Sequence, residues 1–156
     1  MPRALRWYGL ALLVVVLDFA SKLAVLGALA PGESRALAPF FNLVLVFNKG
    51  AAFSFLATAQ GWQTFLFAAI AVVASIVVGF LIVKNVSKSL FCAGLALILG
   101  GALGNLYDRL VYGHVVDFID LHAAGWHWPA FNVADSAITV GAAILIVESF
   151  FQQRPG

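Results

Sequence analysis

The stretch NLYDRLVYGHVVDFID, residues 105–120, concentrates side chains that can carry acid–base chemistry. Only 10% of the chain is charged and 63% is hydrophobic, yet three aspartates and an arginine fall within this stretch beside a histidine. Asp117 lies between a valine and a phenylalanine, and apolar surroundings raise the pKa of a carboxyl group. Asp117 is therefore a candidate for an acid that is often protonated near neutral pH.

A second candidate carboxylate, Asp135, occurs in FNVADSAI. Asn132 is a good helix N-cap, which places Asp135 at the third helical position, near the positive end of the helix dipole. This position favours a charged carboxylate, whereas the surroundings of Asp117 favour a neutral one. Two such aspartates can activate a water and protonate a leaving amine, which is peptide hydrolysis without a metal. The simpler interpretation of Asp135 is one half of an Asn–Asp cap.

Asp18 and Lys22, in LDFASKL, interrupt an apolar run and lie four residues apart. At that spacing they share a helix face and can pair. Within a membrane they are costly unless they face protein or water. Two interpretations are open: a structural ion pair that holds helices together, or a pair that lines a site and orients backbone or substrate. A paired aspartate and lysine make a poor general acid or base, because each fixes the charge of the other.

Polar residues also follow or precede the glycines of NKGAAFSF and GGALGNLYDR. Asn48 is part of a plain turn or of a platform that holds an extended peptide. Asn105 and Arg109 are four residues apart and project from one helix face. Asp108 and Arg109 are either solvated at the membrane interface or turned inward, where Arg109 and the Asn105 amide would bind carbonyls or a lipid-linked group. Asp120 is predicted to be a solvated loop charge.

Other catalytic chemistries find less support in the sequence. No histidine lies near Ser21 or Ser54 in the chain, so a serine nucleophile has no adjacent base, although sequence distance alone does not exclude one. The three histidines, His114, His122 and His127, have spacings that match no zinc-ligand motif. We therefore predict no metal and no cofactor. The net charge of +2 comes from few charges and predicts no nucleic-acid surface.

Membrane-spanning helices are the elements that must position these groups. A mean hydropathy of +1.00 with long apolar runs excludes an ordinary soluble domain, and 156 residues allow a single domain, 1–156. The first apolar run is too long for a cleaved signal segment and carries charges, so it is predicted to be retained. Four segments are long enough to cross the bilayer as helices: 7–29, 63–83, 90–107 and 133–151.

Four crossings place both chain ends on one side of the membrane, and the positive-inside rule predicts that this side is cytoplasmic. The external segments are then 31–61 and 108–132. The first contains FFNLVLVFN, a β-branched and aromatic run of strand length. The sequence thus predicts an all-α integral membrane protein with a small β-sheet platform on its outer face. Gly100, Gly101 and Gly104 predict close helix packing on the third helix.

Four blocks in order, DFASK, NKGAAFSF, GGALGNLYDRLVYGHVVDFID and WPAFNVADSAI, resemble those of the bacterial lipoprotein (prolipoprotein) signal peptidases, the signal peptidase II family. The resemblance covers nearly the whole chain. It implies an aspartic endopeptidase of the bacterial inner membrane, with Asp117 and Asp135 as the catalytic dyad at the outer side. The supporting polar residues of the family match Asp18, Lys22, Asn48, Asn105, Arg109 and Asn132.

The resemblance also implies the substrate, a prolipoprotein whose lipobox cysteine carries a diacylglyceryl group, cleaved just before that cysteine. Globomycin is expected to bind the same site, and membrane lipid is the other expected partner. An extended substrate is expected to lie along residues 41–55. The oligomeric state is left open. Two alternative functions remain: a small proton- or ion-conducting membrane protein that uses intramembrane acids, and a noncatalytic assembly factor.

Overall fold

The structure, a computed structural model, describes residues 2–50 and 62–152. The elements in these ranges are α1 (Pro2–Ala28), β1 (Ser34–Ala38), β2 (Phe41–Asn48), α2 (Trp62–Lys84), α3 (Ser89–Val111), β3 (Val115–Ala123), β4 (Trp126–His127) and α4 (Val133–Gln152). The four helices are each long and apolar enough to cross a membrane. The predicted fold class, four transmembrane helices with a small sheet, is confirmed.

Helix α3 is the centre of the bundle. It packs against α1, α2 and α4, and 56% of its apolar window is buried, against 28% or less in each of the other three helices. The outer faces of those helices carry large exposed side chains such as Phe65, Ile76 and Phe150. Such faces suit contact with lipid tails, which are as apolar as the side chains themselves. The positions of the other helices are therefore set mainly by their contacts with α3.

Glycines bring the backbone of α3 close to its neighbours, as the sequence predicts. A Cβ atom on Gly100 would lie 2.6 Å from the carbonyl oxygen of Ala11 in α1. A Cβ atom on Gly101 would overlap the carbonyl of Ala134 in α4. Because lipid provides no hydrophobic drive for helix association, such close packing is a main source of bundle stability.

A second close crossing of α3 and α4, between Gly94 and Gly141, is not identified by the sequence analysis. A Cβ atom on Gly141 would lie 2.6 Å from the carbonyl oxygen of Gly94, and one on Gly94 would lie 2.9 Å from that of Gly141. The two glycines are 47 positions apart in the chain, so only the three-dimensional fold shows that they face each other. They bring α3 and α4 together at the end remote from the sheet.

The four strands form one antiparallel arrangement in the order β1-β2-β3-β4 at the end of the bundle where α1 and α3 end and α4 begins. We call this the sheet end. Val116 and Phe118 of β3 pack with Val25 and Leu29 at the end of α1. Side chains alternate between the two faces of a strand, so Asp117, which lies between them, points to the opposite face. The alternation of VVDF in β3 therefore turns Asp117 away from the end of α1 and toward Asn132, the residue that precedes α4.

Two details differ from the expectations. Helix α3 continues to Val111, past the predicted end at residue 107, so Asp108 and Arg109 lie in its last turn.

Strand β1 covers one edge of β2 as far as residue 44, and β3 pairs with the other edge. An extended substrate therefore cannot pair with residues 41–44. Residues 51–55 of the expected platform lie outside the described residues.

The Gly94–Gly141 crossing can be tested by adding a methyl group. We expect Gly141→Ala to lower the thermal unfolding midpoint in detergent, because the new Cβ would press on the backbone of α3. Gly27→Ala is the matched control, since a Cβ there meets no atom within 4 Å. Equal unfolding midpoints for the two variants would show that the crossing does not stabilise the bundle.

Candidate active site

Asp117 is held at the sheet end by two side-chain amides. Asn48 of β2 donates from Nδ2 to Asp117 Oδ2 at 3.0 Å, and Asn132 donates from Nδ2 to Asp117 Oδ1 at 2.8 Å. The residue is 2% exposed. Burial, together with the nearby charge of Asp135, raises the pKa of the Asp117 carboxyl from 3.8 to about 7, although the two amide hydrogen bonds act in the opposite direction. The rise predicted from the flanking apolar residues is confirmed in direction.

Asp135 lies in the first turn of α4, where the predicted cap is present. Asn132 Oδ1 accepts a hydrogen bond from the backbone N–H of Asp135 at 2.9 Å. Asn105 donates from Nδ2 to Asp135 Oδ1 at 2.7 Å. Asn132 also donates from Nδ2 to Asn105 Oδ1 at 3.2 Å. The side chain of Asn132 thus connects the carboxyl group of Asp117 to the backbone of Asp135, while Asn105 holds the Asp135 side chain.

Lys22 is buried, and its ammonium group connects several polar side chains near Asp117 and Asp135. Its Nζ lies 2.6 Å from Asp18 Oδ2 and 2.8 Å from Asp108 Oδ2, and it donates to Asn105 Oδ1 at 3.3 Å. Lys22, Asp18 and Asp108 are each 3% exposed or less. Gly104 makes room for this cluster, because a Cβ there would lie 2.7 Å from Asp18 Oδ2. The predicted Asp18–Lys22 pair is present, and Asp108, whose position was left open, is buried against it.

Arg109 connects the end of α3 to two other parts of the chain. Its Nη1 donates to the carbonyl oxygen of Asn105 at 3.2 Å and its Nη2 to that of Gly50 at 3.1 Å. Its guanidinium carbon lies 5.5 Å from the ring centroid of Phe67 in α2, a contact that the sequence does not indicate. Among the described residues, the buried Nε of Arg109 has no hydrogen-bond partner.

A cavity of about 810 Å³ opens beside Asp135. Its polar wall includes Asn48, Asn105, Arg109 and Asp135. Its apolar wall comes mostly from α2 and α4, with Phe67, Ile70, Ala71, Ala74, Ile138 and Val140. Pockets with apolar walls and a few convergent polar groups are typical of ligand sites. The hydrogen bonds described above join all eight predicted site residues into one network on its edge, while their individual roles stay predictions.

Asp120 corrects the sequence analysis, which predicted a solvated loop charge. It lies in β3 and is 8% exposed. Asn42 donates to its Oδ2 at 2.8 Å, and His127 Nδ1 lies 2.9 Å from both of its oxygens. Burial opposes the charge, but these hydrogen bonds outweigh it and lower the pKa of the Asp120 carboxyl. The β3–β4 pairing that brings His127 to Asp120 is not visible in the sequence.

The family model described as Signal peptidase (SPase) II matches residues 10–151. The chain belongs to the signal peptidase II family. The lipoprotein signal peptidase of Paraburkholderia phymatum is 53% identical over 148 residues, which are 95% of this chain and 89% of that protein. That of Burkholderia multivorans is 55% identical over the same shares of both chains. The protein is thus a multi-pass membrane peptidase of lipoprotein processing.

Two solved structures of bacterial membrane enzymes resemble the peptidase. One has a TM-score of 0.86 at 28% sequence identity, covering 97% of this chain and 93% of the other. The second has a TM-score of 0.81 at 30% identity, covering 92% and 91%. The arrangement of helices and sheet is therefore shared with membrane enzymes over nearly its whole length.

The raised pKa of Asp117 predicts a pH dependence of stability. Between about pH 4 and pH 7 the native state holds a proton on Asp117 that the unfolded state has lost, so the contribution of this group to stability falls as the pH rises. Each pKa unit of difference corresponds to about 1.4 kcal/mol. We therefore expect Asp117→Asn to raise the unfolding midpoint at about pH 8, and the gain to disappear near pH 4.

Asp120→Asn is the control of opposite sign. The pKa of Asp120 is lowered in the folded protein, so its charge stabilises the native state at neutral pH. That variant should have a lower unfolding midpoint than the wild type at about pH 8. Stabilisation by both substitutions, or by neither, would contradict the assigned environments.

Proposed function

We propose that the peptidase is an aspartic endopeptidase with Asp117 and Asp135 as its catalytic pair. The observation that carries this proposal is the bridge made by Asn132. Its Nδ2 donates to Asp117 Oδ1 at 2.8 Å, and its Oδ1 accepts from the backbone N–H of Asp135 at 2.9 Å. Asn132 therefore holds the Asp117 carboxyl group next to the backbone of Asp135, and Asn105 orients the Asp135 carboxyl group there, as a shared-proton pair requires.

The two environments suggest how the roles divide. Asp117 is almost fully buried, and its pKa of about 7 allows it to hold a proton under working conditions. Asp135 lies at the cavity wall in the first turn of α4, where Asn105 donates to it. We assign Asp135 as the base that accepts a proton from the attacking water, and Asp117 as the acid. Because the two groups interact, the pKa values that a titration reports belong to the pair.

The reaction then needs no covalent enzyme intermediate. Asp135 takes a proton from water as the water oxygen bonds to the scissile carbonyl carbon, while Asp117 donates its proton to the carbonyl oxygen. The tetrahedral intermediate collapses when Asp135 passes the proton taken from water to the leaving nitrogen and the C–N bond breaks. Asp117 takes back a proton from one hydroxyl group of the intermediate, which leaves a carboxylic acid and an amine and restores both aspartates. Arg109, which lines the cavity, is available to bind a substrate carbonyl.

The cavity supports a lipidated signal peptide as the substrate. Its apolar wall from α2 and α4 runs along the membrane-spanning part of the bundle, which suits the apolar segment of a signal peptide. Its polar wall at the sheet end would receive the peptide bond to be cut. The substrate class follows from the family, whose relatives are named lipoprotein signal peptidases. We infer that cleavage falls just before the diacylglyceryl-modified lipobox cysteine, whose lipid stays in the bilayer.

We propose the bacterial inner membrane as the location, with both chain ends in the cytoplasm and the sheet end outside. Arg6 of α1 donates to Ser89 at the start of α3 at 3.3 Å, so these elements meet at the end opposite the sheet. Lys84 and Lys88, near the same connection, add to the basic character of that end. The positive-inside rule then makes that end cytoplasmic.

The dyad is tested with a synthetic lipobox peptide whose cysteine carries a diacylglyceryl group. We expect Asp117→Asn and Asp135→Asn each to lower the cleavage rate at least about a hundredfold, since each removes an acid–base group. Product formation in detergent micelles is the measurement. Asp120→Asn, which changes another buried acid of β3, should retain activity. Near-wild-type cleavage by either dyad variant would refute the mechanism and would revive the ion-conducting alternative, which proton flux in liposomes measures.

The position of the apolar segment is tested by narrowing the cavity. Ala74 of α2 lines it, whereas the adjacent Val73 is 61% exposed on the outside of the bundle. We expect Ala74→Phe to raise KM several-fold with a smaller effect on kcat, because it fills space that binds substrate away from the reacting bond. Val73→Phe should leave KM unchanged. An unchanged KM in Ala74→Phe would place the substrate elsewhere.

A further inference from the structure

Asp108 is a buried carboxylate that the proposed chemistry does not use. Its Oδ2 lies 2.8 Å from Lys22 Nζ and accepts the backbone N–H of Val116 at 3.0 Å. Val116 is the residue immediately before Asp117 in β3. A carboxylate from the last turn of α3 therefore holds the backbone from which the Asp117 side chain departs.

Asp18 makes the corresponding contact on the other side of Lys22. Its Oδ2 lies 2.6 Å from Lys22 Nζ, and its Oδ1 accepts the backbone N–H of Ala134 at 2.9 Å. Ala134 is the residue immediately before Asp135 at the start of α4. The two carboxylates on one ammonium thus each bind the amide that directly precedes one member of the proposed dyad.

We propose that Asp108 is a positioning residue for the peptidase reaction, which together with Lys22 and Asp18 sets the spacing between Asp117 and Asp135. This inference rests on the proposed function, since it takes these two aspartates as the reacting groups. The chain of contacts runs from Val116 through Asp108, Lys22 and Asp18 to Ala134. Every link in it is an ionic or charge-assisted hydrogen bond, the stronger class of such contacts.

The inference predicts where the effect of losing Asp108 will appear. Asp108 does not line the cavity, so its loss should leave substrate binding intact. Displacement of a reacting group by about 1 Å can lower the rate up to a hundredfold. The loss should therefore appear in kcat. Lys22 keeps Asp18 as a counter-ion, so the buried ammonium stays paired without Asp108.

The experiment compares Asp108→Asn and Asp108→Ala with the wild type on the lipidated lipobox peptide. Because Asp108 Oδ2 serves both Val116 and Lys22, the asparagine oxygen can keep both contacts without the charge, while alanine loses both. We expect kcat to fall about 10- to 100-fold in Asp108→Ala and less in Asp108→Asn, with KM within about twofold of wild type. Asp120→Ala is the matched control, since it removes a buried β3 carboxylate whose partners are Asn42 and His127, and it should retain kcat.

The amide of Val116 provides a readout that general destabilisation would not reproduce. In the ¹⁵N-labelled protein its proton should resonate downfield and exchange slowly, because it binds a carboxylate. The signal should move upfield in Asp108→Ala and only slightly in Asp108→Asn. A wild-type kcat in Asp108→Ala, an effect confined to KM, or an equal loss in Asp120→Ala would each overturn the positioning role. Those results would leave the dyad standing if Asp117→Asn and Asp135→Asn are inactive, so the two proposals fail separately.

Discussion

The arrangement of the site depends on one buried ammonium. Lys22 of α1 contacts Asp18 on its own helix and both Asp108 and Asn105 on α3. A charged group inside a membrane protein is costly unless it is paired and hydrogen-bonded, and Lys22 has two carboxylates and an amide oxygen around it. A sheet strand and the start of α4 are attached to those same carboxylates. Lys22 thus draws α1 and α3 together, and its two carboxylate partners extend the same connection to β3 and the start of α4.

The close packing of the helices and the ion pairs of Lys22 depend on each other. The carboxylate of Asp18 reaches α4 only because Gly104 on α3 leaves space for it. Further along the same face, Gly100 and Gly101 bring α3 against the backbones of α1 and α4. Larger side chains there would collide with those backbones and push the helices apart. The small residues thus bring the backbones close enough for the charges to meet, and the charges fix the register of the helices.

Much of the fold was predictable because membrane helices are dictated by hydropathy and by backbone hydrogen bonding. Local spacing also predicted the Asp18–Lys22 pair and the Asn132 cap, since both connect residues within four positions. The contact of Lys22 with Asp108 was not predictable in this way, because it joins residues 86 positions apart. The burial of Asp120 was not predicted either, because its partner Asn42 lies 78 positions away in the chain.

The predicted end of helix α3 also differs from the end in the structure. Helix α3 was expected to end at residue 107, where a charged pair begins, but the chain stays helical to Val111. A charge normally marks the edge of a membrane helix because it seeks water. Asp108 is instead paired with Lys22 inside the protein, so the helix need not end where this charge occurs. The sequence shows the charge, but only the fold shows what compensates it.

The i,i+4 spacing of Asp18 and Lys22 has a consequence for biogenesis. During synthesis α1 enters the membrane before the chain that carries Asp108 and Asn105 exists. A lone aspartate or lysine at the centre of a span costs about 2.5–3.5 kcal/mol on insertion scales. Because each partner lies within reach of the other on the same helix, α1 can enter the bilayer as an internally neutralised segment. Helix α1 can therefore remain in the bilayer, with Lys22 paired to Asp18, until α3 is synthesised and inserted. The helices can then assemble in the order in which the chain is made.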